Sequence, residues 1–342
     1  MDRKPGDIGK ITRLVAPLFG LCFLFLGLCG LTAWTLIAGS STPSAKTSEI
    51  TDSGMENYWP APDVESLPVG IESDEIRYGR ELIAHTSIYL GPNGSVLQIS
   101  NGMNCQNCHL EAGTKPFGNN YSAVASTYPK FRARSGKVET IAKRVNDCFE
   151  RSLNGKALSP EGREMKAIIS YIRWLGNGVP KTETPKGAGI AELPFLDHPA
   201  DPLKGKGLYE AKCVVCHGKN GEGLMHASGN EWTNPPLWGN QSYSDGAGLY
   251  RLSRFAGYIK ANMPNGATIG QPQLTDEEAW HLAAFVNSMP RPGKDIALDW
   301  PDISKKPIDH PFGPFVDGFD EKQHKYGPFE PILEKRKSLN SL

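Results

Sequence analysis

The sequence predicts an all-α protein in which two tandem domains of one kind follow a membrane helix and precede an extended, Pro-rich tail. Three features of the 342 residues predict this order. A charge-free apolar run lies near the start, one pattern of cysteine and histidine occurs twice, and helix-like periodicity surrounds both copies. From Pro290 to Leu342 the chain carries eight prolines, which disfavour regular helices and predict the extended tail.

The overall composition is that of a globular protein without net charge. Hydrophobic residues make up 39% and charged residues 22%, and 37 basic residues balance 37 acidic ones. A chain of this length suits two domains of ordinary size. A general nucleic-acid-binding protein needs a basic surface, so this balance predicts that no nucleic acid is a partner.

The first element expected is a membrane anchor within residues 1–50. Leu14–Ala38 contains no charged residue and is long enough to cross a bilayer, for which about 20 apolar residues suffice. Four basic residues against two acidic ones precede it, which predicts a cytoplasmic N-terminus and a periplasmic body held at the inner membrane. The alternative is a signal peptide whose cleavage releases a soluble periplasmic protein.

Two Cys-x-x-Cys-His motifs predict the main chemistry of the protein. They are Cys105-Gln-Asn-Cys108-His109 and Cys213-Val-Val-Cys216-His217. In such a motif two thiols bond to the vinyl groups of one porphyrin, and the histidine becomes the proximal ligand of the iron. The sequence therefore predicts two covalently bound haem c groups. A four-cysteine zinc site or a redox disulfide pair is the alternative, but neither requires a histidine after both pairs.

Each motif lies between helix-like segments, as in a small cytochrome c-like domain. We expect a first domain at 55–185, a linker at 186–199, a second domain at 200–292 and the tail at 293–342. In the first domain, Ser159-Pro160 predicts a helix start that leads into an apolar face. In the second, Thr275-Asp-Glu-Glu278 predicts a capping box and the helix that follows it.

The haem of the second domain needs a sixth ligand. Met263, followed by Pro264, has the position and the sequence context of a methionine ligand. Met225 and His226 are its rivals in the same domain. Ligation by histidine and methionine raises the reduction potential of a haem, which suits electron transfer.

Cys148 is the cysteine beyond the apolar run that belongs to neither haem motif. The first domain has no Met-Pro element like that of the second, so its haem lacks an obvious methionine ligand. In an oxidising compartment an unpaired thiol requires an explanation. It is either a buried structural cysteine or a thiolate ligand of the first haem.

The segment around Cys148 is amphipathic and basic. Arg144, Cys148 and Ser152 are spaced by four and share one face of a predicted helix. Eight basic and three acidic residues lie between Lys130 and Lys156. Such an excess of positive charge usually marks a solvated surface. Beside a candidate thiolate ligand it predicts an oxyanion pocket. Guanidinium groups bind small oxyanions in a forked geometry. The four candidates are Arg132, Arg134, Arg144 and Arg151.

With these motifs, the sequence resembles the dihaem thiosulfate dehydrogenases. The resemblance rests on the two haem motifs, on Arg132-Ala-Arg-Ser-Gly, and on Arg144-x-Asn-x-Cys148-x-x-Arg151-Ser152-x-Asn-Gly. It extends to the tail segments Gly313-Pro-Phe and Gln323-His-Lys-Tyr-Gly-Pro-Phe. The haem motifs are common to cytochromes c, so the segment around Cys148 is the specific part.

The resemblance implies a periplasmic enzyme that couples two thiosulfates into tetrathionate, a reaction that some members run in reverse. It implies that Cys148 ligates the first haem iron together with His109, and that this haem is the active site. It also implies that Arg134, Arg144 and Ser152 line the substrate pocket.

For the second haem, the resemblance implies ligation by His217 and Met263 and electron transfer to an external cytochrome c or another periplasmic acceptor. Some members carry a lysine immediately before this methionine, and that lysine can be the ligand in one oxidation state. Asn262 occupies the position here. We therefore expect methionine ligation without a switch.

Two other functions are compatible with a pair of haem motifs. A non-enzymatic, membrane-tethered dihaem electron carrier would have two His/Met haems and no oxyanion pocket. A dihaem peroxidase would need an open iron site. His85 is the other histidine of the first domain, so an obvious distal histidine for a peroxidase is lacking.

Overall fold

The computed structural model of the chain describes residues 58–340, which lie within one compact unit. The predicted anchor at Leu14–Ala38 lies outside these residues. Among the helices of the described part, none is both long and apolar enough to cross a bilayer.

The first domain is helical apart from one short hairpin. Its elements in chain order are α1 (Ile71–Ala84), α2 (Thr86–Leu90), α3 (Leu110–Gly113), α4 (Val124–Thr127), β1 (Lys130–Arg132), β2 (Lys137–Glu139), α5 (Ile141–Arg151) and α6 (Arg163–Leu175). β1 and β2 pair antiparallel, with Phe131 opposite Val138. The haem motif begins as a 3-10 turn, Cys105–Asn107, between α2 and α3.

α1 and α6 cross at a glycine and build the core of the first domain. A Cβ atom on Gly79 of α1 would lie 2.0 Å from the carbonyl oxygen of Ala167 on α6, so only glycine permits this approach. Leu82 and Ile168 are buried around the crossing. α2 extends this frame to the haem motif, because the Thr86 hydroxyl accepts a hydrogen bond from the backbone N–H of Cys105.

One helix start in this domain differs from the expectation. α6 begins at Arg163 with Gly162 as N-cap, so Ser159-Pro160 lies in the preceding turn and does not start the helix. The amphipathic segment around Cys148 becomes helical at Ile141, because the Thr140 hydroxyl caps it by accepting from the N–H of Lys143. The residues just before it form β2, whose backbone groups pair with β1.

The second domain repeats the helix crossing. Its elements are α7 (Pro202–Lys212), α8 (Val214–His217), β3 (Leu224–Met225), β4 (Trp232–Asn234), α9 (Leu252–Asn262) and α10 (Asp276–Ser288). α7 and α10 cross at Gly205, where a Cβ would lie 1.9 Å from the carbonyl oxygen of His281. The predicted capping box is confirmed, since the Thr275 hydroxyl accepts from the N–H of Glu278 and the Glu278 carboxylate accepts from that of Thr275.

The segment predicted as a linker is hydrogen-bonded to the first domain. The N–H of Phe117 donates to the Gly187 carbonyl, and the N–H of Asn119 donates to that of Gly189, each at 2.7 Å. Phe117 and Asn119 belong to the loop after the first haem motif. The linker therefore forms part of the wall around that motif and is not a free connection.

The C-terminal tail is partly helical, whereas its prolines predict an extended chain. A 3-10 turn at Ile303–Lys305 interrupts an otherwise irregular stretch, and α11 (Glu321–Tyr326) and α12 (Glu330–Asn340) follow. Pro331 is compatible with α12 because it lies in the first helical turn, where its missing N–H costs no hydrogen bond. Phe329 and Ile332 pack into the core of the second domain, which anchors the tail.

Candidate functional site

A cavity of about 500 Å³ opens beside the first haem motif. The motif forms one wall, and α5 contributes Arg144, Cys148 and Ser152. Residues of the second domain between Tyr243 and Arg254 complete the lining. Both domains therefore build this cavity.

His109 is held in the orientation that a metal ligand requires. Its Nδ1 lies 2.5 Å from the backbone oxygen of Asn119, and its ring stacks on Tyr121 with ring centroids 4.5 Å apart. A carbonyl oxygen can only accept, so Nδ1 carries the proton and Nε2 keeps its lone pair. Metal-binding histidines are commonly oriented by such a hydrogen bond.

Cys148 lies in the same cavity beside a cation. Arg144, one turn earlier on α5, places its Nη1 atom 3.0 Å from the Cys148 Sγ atom. Burial raises the pKa of this thiol, but the positive charge of Arg144 is the largest opposing cause, and the pKa is lowered to about 6. At neutral pH the thiolate is therefore favoured, and the thiolate is the form that ligates metals and attacks sulfur.

Arg134 adds a second cation, and within the described residues it forms no ion pair. Its Nε atom is buried without a hydrogen-bond partner. Burial, together with Arg151 and Arg144, lowers the pKa of this guanidinium to about 10, so it stays charged at neutral pH. A half-buried cation without an ion-pair partner favours an incoming anion. Ser152, which caps the C-terminal end of α5, lines the same cavity.

The remaining arginine candidates divide into two groups. Arg132 lines the cavity, but Arg151 does not, because its guanidinium pairs with Asp299 of the tail. Arg251 and Arg254 of the second domain also line the cavity, and the sequence offered no sign of this. No motif or periodicity links them to Cys148, since only the packing of the two domains brings them there.

A second cavity, of about 570 Å³, opens beside the second haem motif. His217 Nδ1 lies 3.1 Å from the backbone oxygen of Pro235, which leaves Nε2 free as in the first site. Met263 lines this cavity directly after α9. Of the two rivals, His226 also lines it but is exposed, whereas Met225 is not among the lining residues.

The two cavities share a wall. Asn104, Cys108, Tyr243 and Leu249 line both of them. Tyr258 of the second domain fixes this wall, because its hydroxyl donates to the backbone oxygen of Asn107 at 3.0 Å. A group attached to Cys108 would therefore lie at the boundary between the two sites.

Both cavities fit haem c by the chemistry of their residues. The five cysteines of the described part form no disulfide bonds, as attachment to vinyl groups requires. Burial raises the pKa of Cys105 and of Cys108 to about 12, which keeps both as thiols. Within residues 58–340 no cysteine belongs to a cluster of three or more potential metal ligands. This geometry disfavours the four-cysteine zinc site.

The three-residue ligand cluster found in the described part consists of His198, Glu277 and His281. His281 Nδ1 accepts the N–H of Asp201 at 3.0 Å, so the ring proton resides on Nε2, which faces the Glu277 carboxylate at 3.1 Å. The Nζ atom of Lys204 lies 3.5 Å from the same carboxylate. The cluster is a closed hydrogen-bond network, and His281 has no free lone pair for a metal.

Two family models match the chain, one in each domain. The model described as SoxA/TsdA, cytochrome c domain, matches residues 97–180. The model described as Cytochrome c matches residues 203–290. The expectation of two tandem cytochrome c domains is confirmed, and the helical class holds apart from the two short hairpins.

Several similar proteins carry one common name. The thiosulfate dehydrogenase of Allochromatium vinosum is 39% identical over 230 residues, which cover 66% of this chain and 82% of that protein. The thiosulfate dehydrogenase of Stutzerimonas stutzeri is 35% identical, with 69% of this chain and 74% of that one covered. That of Thiomonas intermedia is 32% identical, with 82% and 87% covered.

A solved structure agrees with these relatives. The as-isolated form of the thiosulfate dehydrogenase TsdBA from Marichromatium purpuratum superimposes with a TM-score of 0.63 at 34% identity. The match covers 69% of this chain and 50% of that chain, so this protein spans half the length of that one.

Proposed function

The chain belongs to the thiosulfate dehydrogenases, and we propose that it couples two thiosulfates into one tetrathionate in the cavity of the first haem motif. Cys105 and Cys108 would bind the active haem, and His109 and Cys148 would ligate its iron. The chemistry of the cavity suits both directions, so tetrathionate reduction is included.

The contact between Arg144 and Cys148 is the observation that supports this function most directly. It places a thiolate beside a guanidinium in a cavity that holds another unpaired cation, Arg134. Two thiosulfate dianions repel each other, and positioned cations offset that repulsion as the reacting sulfurs approach. The hydroxyl of Ser152 is a hydrogen-bond donor for an oxygen of the sulfonate group.

Cys148 is the nucleophile of the reaction. Its thiolate bonds to the outer sulfur of one thiosulfate while two electrons leave: Cys–S⁻ + S2O3²⁻ → Cys–S–S–SO3⁻ + 2 e⁻. The second thiosulfate attacks the same outer sulfur and displaces the cysteine: Cys–S–S–SO3⁻ + S2O3²⁻ → Cys–S⁻ + S4O6²⁻. The thiolate is regenerated, and Arg144 stabilises it as the leaving group.

The shared wall of the two cavities supports electron transfer between them. When bound, the two haems together accept the two electrons of one turnover. His217 and Met263 are the residues that would ligate the second iron, and Cys108 and Tyr243 separate the two sites. The final acceptor is an external cytochrome c or another redox protein of the periplasm.

The cellular location follows from the chemistry of haem attachment and from the N-terminal sequence. The apolar run Leu14–Ala38 is an export element that holds the body at the inner membrane or is cleaved to release it. In both cases the haem domains work in the periplasm, where the substrate anions and the acceptor meet them.

Replacement of Cys148 tests this function. We expect Cys148→Ala to retain two covalently bound haems by mass spectrometry and to lose nearly all turnover of thiosulfate and of tetrathionate with artificial redox dyes. Arg144→Gln should lower turnover about 100-fold, as loss of one transition-state cation does, and Arg144→Lys should restore part of it. Lys166→Gln, an exposed charge change elsewhere, is the control.

The same assay separates the enzyme from the alternatives. Membership of an enzyme family leaves the non-enzymatic electron carrier without support, and such a carrier would exchange electrons with dyes but leave thiosulfate unchanged. A peroxidase would consume hydrogen peroxide. Near-normal thiosulfate turnover in the haem-loaded Cys148→Ala protein would contradict the role of Cys148.

A further inference from the structure

Arg134 is a cation of the first cavity whose side chain has no polar anchor. It lies in the turn between β1 and β2 and lines the cavity. Among residues 58–340 its side chain forms no ion pair or hydrogen bond, and its Nε atom is buried without a partner. An arginine side chain has many rotamers, so its guanidinium would occupy several positions unless another contact restricts it.

The C-terminal tail provides two contacts to Arg134, both from Trp300. The backbone N–H of Trp300 donates to the Arg134 carbonyl at 2.7 Å. The guanidinium carbon of Arg134 lies over the Trp300 ring, 5.8 Å from its centroid. At this distance the negative face of an aromatic ring attracts a cation. One tail residue therefore contacts both the backbone and the charged end of Arg134.

The residues on either side of Trp300 fix its place along the chain. Gly136, in the same turn as Arg134, has a φ of +66°, and a Cβ there would lie 2.7 Å from the Cγ atom of Pro301. The close approach of tail and turn therefore requires glycine. On the other side, Asp299 accepts from two nitrogens of Arg151, at 2.7 and 2.8 Å.

The position of Trp300 is unfavourable for folding by itself. Its φ is +61°, in the left-handed region that residues other than glycine rarely adopt because of steric strain. The residue is 8% exposed, and its indole Nε1 is buried without a partner, although a buried tryptophan N–H usually has one. Strain of this kind persists where the surrounding structure requires one placement, and such places cluster at functional sites.

We propose that Trp300 is a positioning residue for thiosulfate, because its ring and its backbone hold the Arg134 guanidinium in place before the substrate binds. This rests on the proposed function, in which Arg134 offsets the charge of the dianions. A cation held in advance loses less conformational freedom when an anion binds, and it needs no reorganisation as the reacting sulfurs approach. Trp300 is not among the described residues that line the cavity, so it acts on the substrate through Arg134.

Two substitutions separate the aromatic face from the bulk of the side chain. Trp300→Phe keeps an aromatic face, whereas Trp300→Leu keeps only an apolar side chain. Both retain the backbone N–H and remove the unpaired indole N–H. We expect Trp300→Leu to lower kcat/KM for thiosulfate about 5–10-fold, as loss of one cation–π contact does, and Trp300→Phe to stay within about threefold of the parent protein.

The measurement is steady-state turnover with artificial redox dyes, after mass spectrometry has confirmed two haems in each variant. Trp174→Leu is the matched control, because it removes a half-buried tryptophan that stacks on Tyr171, with ring centroids 6.0 Å apart, and does not contact Arg134. Its kcat/KM should equal that of the parent protein. Trp300→Met, with an adaptable apolar side chain, is the second variant without an aromatic face if Trp300→Leu does not retain both haems.

A double-mutant cycle with Arg134→Gln separates positioning from a structural role. If Trp300 acts through Arg134, Trp300→Leu should have no further effect on kcat/KM once Arg134 is replaced. The second readout is the Kd of thiosulfate, measured by calorimetry in the Cys148→Ala protein, where binding should not lead to reaction. Trp300→Leu should raise this Kd about 5–10-fold.

Three results would overturn the role of Trp300. They are an equal loss of kcat/KM with and without Arg134, equal kcat/KM of the leucine and phenylalanine variants, and an unchanged Kd for thiosulfate. Failure of the proposed function gives a different result, because the parent protein itself would then leave thiosulfate unchanged. In that case the calorimetric titration still decides whether Trp300 strengthens anion binding by Arg134.

Discussion

Arg151 and Asp299 form a two-pronged ion pair that joins the end of α5 to the C-terminal tail. Nη1 lies 2.8 Å from one carboxylate oxygen and Nη2 lies 2.7 Å from the other. The next tail residue, Trp300, donates its backbone N–H to the carbonyl of Arg134 at 2.7 Å. The tail thus contacts both the helix that carries Cys148 and the loop that carries Arg134.

Asp299→Asn should destabilise the protein by about 3 kcal/mol, because it leaves the charge of Arg151 without its partner. The side chains of the pair are only 13% and 11% exposed, so solvent compensates little. Chemical denaturation of the haem-loaded protein measures the loss. Glu161→Gln is the matched control, since Glu161 is 88% exposed and its contact with Lys166 is long. A loss below about 1 kcal/mol would show that the pair behaves like a surface ion pair.

Gly205→Ala should destabilise the second domain by about 2–3 kcal/mol, because its methyl group would meet the backbone of α10 and force the helices apart. Gly207 lies two residues later on the same helix, where a Cβ would meet nothing within 4 Å. Gly207→Ala should therefore stabilise by up to about 1 kcal/mol through helix propensity alone. Equal effects of the two substitutions in denaturation experiments would show that the crossing is not tight.

His310 should make the protein less stable as the pH falls from 6.5 to 4. Burial, followed by the charges of Lys306, Arg134 and Arg251, lowers its pKa in the folded protein to about 4. Between these pH values the unfolded chain binds a proton that the folded protein does not, so the free energy of unfolding decreases with falling pH. Over this pH range, the shifted pKa of His310 lowers the free energy of unfolding by about 3 kcal/mol.

His310→Gln isolates this contribution. We expect the loss of stability between pH 7 and pH 4.5 to be smaller by about 2–3 kcal/mol in the variant than in the parent protein. The measurement is a set of denaturation curves across this range. An identical pH dependence of both proteins would assign the effect to other groups.

Met263 should remain the ligand of the second haem in both oxidation states. Asn262, which precedes it, is 1% exposed, and its amide donates to the carbonyls of Phe117 and Tyr258. It offers no amine to compete with the methionine. We expect the absorption band of methionine ligation to persist in the oxidised protein, and its disappearance on oxidation would contradict this. Asn262→Lys, which introduces the residue that some family members carry, is the comparison.

Local sequence was sufficient for the features that depend on neighbouring residues. Thioether attachment needs two cysteines and a histidine in one turn of chain, and a capping box needs residues three apart, so both were visible as motifs. The spacing of Arg144, Cys148 and Ser152 placed them on one helix face, and the structure brings all three to one cavity. The helix start near Ser159 was misplaced because Gly162 provides the N-cap.

By itself, the sequence determined the two haem motifs, the helical class and the family, because each depends on residue identity at short spacing. Only the tertiary structure decided how the cations are used. The Arg151 guanidinium pairs with Asp299, 148 positions later, and does not line the cavity, whereas Arg254 of the other domain does. The packing of segments that are distant in the sequence determines which opposite charge or cavity a charged side chain meets. No local sequence pattern predicts this.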